Sequence, residues 1–77
     1  MERATERVRI ENMCRRLLLV AAQSVDDKSD SIYNAYRWAY QRLDGLADGL
    51  LELWQFELYE IVKYYAQVAR NKKDRAL

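Results

Sequence analysis

The 77-residue sequence predicts an all-α protein, a small three-helix bundle made of a helical hairpin and a long C-terminal helix. The chain has no proline and only two glycines, so few positions interrupt a helix. Apolar residues recur three and four positions apart along most of the chain, which is the spacing of one helix face. A polar, turn-forming cluster occurs only at residues 23–30.

The short chain limits how much core it can bury. A domain of this size buries only about 60% of its unfolded surface, which leaves a stability of about 3 to 5 kcal/mol. A single cysteine excludes an intrachain disulfide, and the absence of histidine removes the usual zinc and haem ligand sets. We therefore expect dense helix packing, completed by a protein partner or by a homo-oligomer.

The first helix is expected from about residue 2 to residue 22. A pair four residues apart, Glu11 and Arg15, supports its outer surface. Its inward face carries Ile10, Met13, Cys14, Leu17, Val20 and Ala21. Residues 23–30 then form the first boundary, where Ser29 or Asp30 is expected to cap the next helix.

The second helix is expected at about residues 31–44, followed by a segment, residues 44–49, with two interpretations. In one, Gly45 ends the helix and Asp48 caps the next; in the other, the helix continues through both glycines with a kink. We favour the break near Gly45, because Asp44 and Asp48 would repel each other on a continuous helix. The inward face of this helix carries Ile32, Ala35, Tyr36, Ala39, Tyr40 and Leu43.

The third helix is expected at about residues 47–72, with a basic tail at residues 70–77. Its apolar residues alternate four and three apart, as in a heptad repeat. They are Ala47, Leu51, Trp54, Leu58, Ile61, Tyr65 and Val68. Further apolar residues broaden this stripe into a band, so we expect it to organise the core of a single domain spanning residues 1–77.

The ends of the chain are basic and its middle is acidic, although the net charge is only +1. The apolar run at residues 17–22 is too short for a signal peptide, and no run approaches the roughly 20 residues that span a bilayer. We expect a cytoplasmic protein with no membrane contact.

We expect a protein that is not an enzyme and has no cofactor, metal or small-molecule substrate. Cys14 lies on an apolar helix face, where a thiol behaves as a small hydrophobe and its pKa rises. The acidic loop lacks the turn glycine and the distant glutamate of a calcium loop, so helix capping and solvation explain it better. The acids of that loop are Asp26, Asp27 and Asp30.

Large apolar residues on otherwise polar helix faces suggest a partner-binding surface. Trp38 and Phe56 lie among polar residues when the helices are projected at 100° per residue, and Tyr33, Arg37 and Tyr59 flank them. A broad core could also absorb these side chains. Our first hypothesis is a non-enzymatic helical interaction module, an adaptor, assembly subunit or inhibitor of the kind that phages and plasmids encode.

The alternative hypothesis is a small nucleic-acid-binding regulator that uses the terminal basic groups. These are Lys63, Arg70, Lys72, Lys73 and Arg75. We rank this hypothesis second, because a nucleic-acid binder of this size usually has a larger positive excess and the acidic middle would repel phosphates. Basic residues at the end of a helix also complement its dipole without any ligand.

Overall fold

The computed structural model describes residues 5–76, which form three α-helices packed against one another with no strand among the described residues. Helix α1 spans Glu6–Asp26, α2 spans Ile32–Glu52 and α3 spans Phe56–Arg75. The three helices have nearly equal lengths of 21, 21 and 20 residues. The predicted three-helix bundle is confirmed.

The helices run up, down and up. The Arg7 Nη1 atom lies 3.7 Å from Glu57 Oε1, and Arg15 Nε donates a hydrogen bond of 3.2 Å to Tyr65 Oη. Both contacts join residues 50 positions apart, so α1 and α3 are parallel. Helix α2 is antiparallel to both and packs most extensively on α3, while α1 lies against the pair.

The buried core is small, because alanines make up most of it. Leu43, Val62 and Cys14 are the largest fully buried side chains among the described residues. The buried alanines are Ala21, Ala35, Ala39, Ala47, Ala66 and Ala69. Small side chains let helix backbones approach closely, but each buries little apolar surface. Many of the large apolar side chains therefore remain outside the core.

Side-chain oxygens cap the first two helices. Val8 N donates to Thr5 Oγ1 at 3.2 Å, and Asn34 N donates to Ser31 Oγ at 3.1 Å. The predicted cap at Ser29 or Asp30 is wrong by one residue, since Asp30 Oδ1 instead accepts a hydrogen bond from Ser31 N. The predicted helix start near residue 2 lies outside the described residues.

Helix α1 continues four residues beyond its predicted end at residue 22. Val25 is partly buried and packs against the core, so the polar-looking segment adds another turn of helix before the chain reverses. The predicted pair on the outer surface of α1 forms, with Arg15 Nη2 at 3.8 Å from Glu11 Oε2.

The predicted break near Gly45 is wrong, because α2 continues through both glycines to Glu52. The buried residues Leu43, Ala47 and Leu50 lie on one continuous face, and packing of that face outweighs the low helix propensity of glycine. Lys63 Nζ lies 3.3 Å from Asp44 Oδ1, and this ion pair offsets the expected repulsion between the acids of this segment.

The chain reverses instead at residues 53–55, so the predicted helix over residues 47–72 is also wrong. The heptad stripe is divided between two helices. Ala47 and Leu51 belong to α2, Trp54 lies in the turn, and Leu58 begins the part of the stripe that belongs to α3. Helix α3 ends at Arg75, three residues later than expected.

Candidate functional site

The turn between α2 and α3 exposes four large apolar side chains at one end of the bundle. These are Leu51, Leu53, Trp54 and Phe56, which we call the apolar turn. Trp54 is 78% exposed and Leu53 is 69% exposed. The rings of Trp54 and Phe56 meet edge to face, with centroids 5.9 Å apart. The other large apolar side chains exposed in the described residues are spread over all three helices.

The backbone of the turn follows the Schellman pattern that often ends a helix. Gln55 N donates to Leu50 O at 2.9 Å, and Trp54 N donates to Leu51 O at 3.1 Å. In this pattern the residue after the C-cap adopts a left-handed conformation and is usually glycine. Here it is Trp54, with a φ of 60°.

The turn allows α2 and α3 to pack their apolar residues on the core from opposite directions. Leu50 is buried on α2, and Leu58 packs against the core from α3. Trp54 lies four residues from each of them, so a continuous helix would place all three on one face. Because the chain reverses, both leucines pack on the core and Trp54 is left exposed to solvent. The left-handed conformation costs a bulky residue about 1 to 2 kcal/mol.

A cleft of about 320 Å³ adjoins the apolar turn. Leu53 belongs to both features, so the turn and the cleft form one surface. The cleft lies between the α2–α3 connection and the beginning of α1. Its lining residues are Glu6, Arg9, Ile10, Leu50, Leu53, Gln55 and Leu58.

Acidic side chains surround the apolar turn. Residues 43–62 contain five acids and neither lysine nor arginine. Asp48 and Glu52 are exposed near the end of α2, and Glu57 and Glu60 are exposed near the start of α3. Two bases of α1 reach this end. Arg7 pairs with Glu57 at 3.7 Å, and Arg9 lines the cleft. Counted over the part of the chain that the structure describes, the surroundings of the apolar turn therefore carry a net negative charge.

The structure separates the two aromatic residues on which the predicted partner surface was centred. Phe56 is exposed and belongs to the apolar turn, while Trp38 is half-buried and packs against the core. The guanidinium carbon of Arg42 lies 4.8 Å from the centre of the Trp38 ring. Lys73 contacts Tyr40, so Trp38 lies near the far end of α3, about 20 Å from Phe56 along the helix.

The other predicted partner residues do not gather around the apolar turn as a group. Tyr33 lies near the opposite end of the bundle, where Lys73 Nζ lies 6.0 Å from the centre of its ring. Arg37 is exposed on α2, and Tyr59 is half-buried against the core. Of the five predicted residues, Phe56 is the one that the structure places in the apolar turn.

The basic residues of the nucleic-acid hypothesis do not form one continuous face. At 100° per residue, Lys63 and Lys72 lie on opposite sides of α3. The pKa of Lys63 is raised by its hydrogen bond with Asp44. Several of these bases have other contacts: Arg70 and Lys73 lie 3.8 and 3.6 Å from Asp74, and Lys72 lies over the ring of Tyr36. Arg75 is exposed.

Cys14 is fully buried, and burial together with the nearby Glu11 raises the pKa of its thiol to about 11. A carboxylate of the acidic loop is used in hydrogen bonds within the loop. Asp27 Oδ1 accepts hydrogen bonds from the backbone N–H and from the hydroxyl group of Ser29. These two bonds lower the pKa of Asp27. Within residues 5–76, no group of three histidine, cysteine or acidic residues is arranged to hold a metal ion.

The sequence-based prediction of the partner surface missed three residues of the apolar turn, Leu51, Leu53 and Trp54. A signal for them exists in the segment from residue 50 to residue 56, LLELWQF, which has five large apolar residues among seven. No single helix face accommodates so many in succession. A left-handed residue is difficult to predict in this segment, because no glycine follows Gly49 in the sequence.

Comparison with protein-family models, curated proteins and solved structures gives no match for this chain. The described helices include none that is both long enough and apolar enough to cross a membrane. Function is therefore inferred from the geometry and chemistry of the chain itself.

Proposed function

We propose that the protein is a non-enzymatic helical interaction module that docks onto a larger protein through the apolar turn. It would serve as an adaptor, an assembly subunit or an inhibitor. One observation carries the proposal: Trp54 presents a 78% exposed indole from a left-handed backbone position that favours glycine. The fold gains little from this side chain, so its presence calls for another explanation.

Energetic considerations support docking by this surface. Strained conformations persist where the surrounding structure holds them, and they concentrate at ligand clamps and binding sites. Tryptophan is also among the residues most enriched at the energetic centres of protein interfaces, where its removal costs about 2 kcal/mol or more. Trp54 and Phe56 stand together in the apolar turn, which is the arrangement expected of such a centre.

Site-specific photo-cross-linking in the source cell tests the proposal. A benzophenone amino acid replaces Trp54 in one variant and Gln41, an exposed residue on a polar face of α2, in a matched control. We expect a discrete cross-linked species from position 54 and none from position 41. The captured protein is then identified, purified and tested for direct binding.

Direct binding by the purified partner decides the outcome. We expect it to bind the wild-type chain and to bind Trp54→Gly at least about thirtyfold more weakly, as loss of about 2 kcal/mol at an interface centre implies. Equal binding to both chains would overturn the proposal, and so would the absence of a cross-linked species specific to position 54.

A further inference from the structure

We infer that the apolar turn is received by a protein groove that is apolar at its centre and lined with lysine and arginine at its rim. This inference rests on the proposed function and adds the chemistry of the partner. It is carried by the charges around the turn and not by the apolar residues themselves.

Acidic side chains are concentrated around the turn. Asp48, Glu52, Glu57 and Glu60 are exposed within eight residues of the turn, and no basic residue occurs between positions 43 and 62. Glu6 joins them at the cleft. Among residues 5–76, the bases shown at this end are Arg7 and Arg9 of α1, and Arg7 is engaged with Glu57.

Helix electrostatics do not explain the acids on α2. The C-terminal end of a helix carries a partial negative charge, so bases are favoured there and acids are disfavoured. Helix α2 nevertheless ends with Asp48 and Glu52 exposed and has no base in its last turn. Glu57 lies in the first turn of α3, where the dipole favours an acid. The acids of α2 are therefore the ones that point to a basic partner.

The same charges select among possible occupants. A symmetric contact between two copies would use the same patch on both, so the acids of one copy would face those of the other. An anionic membrane surface would repel the acidic rim. A partner with a basic rim is attracted to it, and its apolar groove covers the exposed rings. The cleft beside Leu53 provides space for an apolar side chain from that partner.

Fluorescence of Trp54 tests the inference with defined probes. Trp38→Phe leaves Trp54 as the single tryptophan. Two amphipathic helical peptides share the same leucine spacing and carry lysine or glutamate at their polar positions; vesicles of zwitterionic phosphatidylcholine are the third probe. We expect the lysine peptide to cause a saturable blue shift and the glutamate peptide to bind at least about tenfold more weakly. The affinity for the lysine peptide should fall as salt increases.

Charge-neutralising variants localise the effect. Asp48→Asn with Glu52→Gln should weaken binding of the lysine peptide several-fold, because two acids of the rim are lost. The matched control is Asp26→Asn with Asp30→Asn, which changes the net charge equally at the end of α1 and in the loop that follows it, and should leave binding unchanged. Circular dichroism verifies folding. If Trp38→Phe loses helicity, fluorine NMR of the fluorotryptophan-labelled wild-type chain reports on Trp54 instead.

Equal or tighter binding of the glutamate peptide would overturn the inference, as would binding to the vesicles alone or to none of the probes. Equal effects of the two double variants would also overturn it. The proposed function has a separate test: a partner found by cross-linking at position 54 that lacks a basic rim would remove this inference and leave docking intact.

Discussion

Trp54 has a large side chain at a backbone position where glycine would be free of strain. Lys28 is the other described residue with a positive φ, 62°, and it follows the C-cap of α1 in the same way. Lys28 has a charged side chain that is suited to solvent, whereas Trp54 has an apolar indole that is mostly exposed. Position 54 is therefore unusual in the chemistry of its side chain.

Trp54→Gly should leave the free energy of unfolding unchanged or raise it by about 1 kcal/mol, because glycine relieves the left-handed strain. Lys28→Gly is the matched control and should have a similar effect. Trp54→Ala keeps the strain and should give no gain. Urea unfolding followed by circular dichroism measures all three. A loss of more than about 1 kcal/mol in Trp54→Gly would show that the indole stabilises the fold.

Cys14 should make stability fall at alkaline pH. Its pKa rises from 9.0 to about 11 on folding, so its contribution is fully present below about pH 9 and is lost as pH rises through 11. Relative to Cys14→Ala, the wild-type chain should lose about 2 kcal/mol across this window. Urea unfolding at successive pH values measures the difference, and a difference that does not change with pH would contradict the burial of the thiol.

At the scale of elements, helix α2 is the element that the sequence describes least well. Both glycines lie inside it, and a Cβ atom added at Gly45 or Gly49 would meet nothing within 4 Å. Neither has a positive φ. The conformational freedom of glycine is therefore unused at both positions. The turn begins four residues after Gly49, at Leu53, and contains no glycine.

Gly45→Ala and Gly49→Ala should each raise the free energy of unfolding by about 0.5 to 1 kcal/mol, the difference in helix propensity between the two residues. The reason is that both positions are helical and open to solvent. Thermal unfolding followed by circular dichroism measures the gain. Destabilisation by either substitution would favour a break at these glycines.

The helices and most inward faces could be predicted from periodicity, because burial of one face requires apolar residues three and four apart. The position of the second turn could not. The heptad stripe continues through residues 53–55 without interruption, whereas the chain reverses there and Leu50 and Leu58 both pack on the core. The sequence predicts Phe56 as a site residue because it lies off the stripe, whereas it predicts Trp54 in the core because it lies on the stripe.

At the scale of the whole molecule, a small alanine-rich core coexists with an open shape. The described helices form a flat body whose principal extents are 38, 30 and 15 Å. The radius of gyration is 13.2 Å, compared with about 11.5 Å expected for a compact chain of this length. The accessible surface is 5815 Å², compared with about 4900 Å² expected for this mass. Such a molecule leaves apolar surface available for association.

Core and turn substitutions should therefore behave differently. Leu43→Ala removes one of the largest fully buried side chains and should cost about 2 to 5 kcal/mol, a large part of the roughly 3 to 5 kcal/mol expected for this domain, so its helicity should fall. Phe56→Ser, at a side chain that is 53% exposed, should leave helicity intact. Circular dichroism at 25 °C distinguishes the two. Loss of helicity in Phe56→Ser would place that ring in the core.

If the apolar turn serves a partner and not the fold, as we propose, loss of the Trp54 side chain should weaken binding and leave folding intact. The most direct measurement is the affinity of the reconstituted partner for Trp54→Gly compared with the wild-type chain, with both proteins shown to be folded. We predict binding at least about thirtyfold weaker for the variant. Equal affinity would contradict the claim.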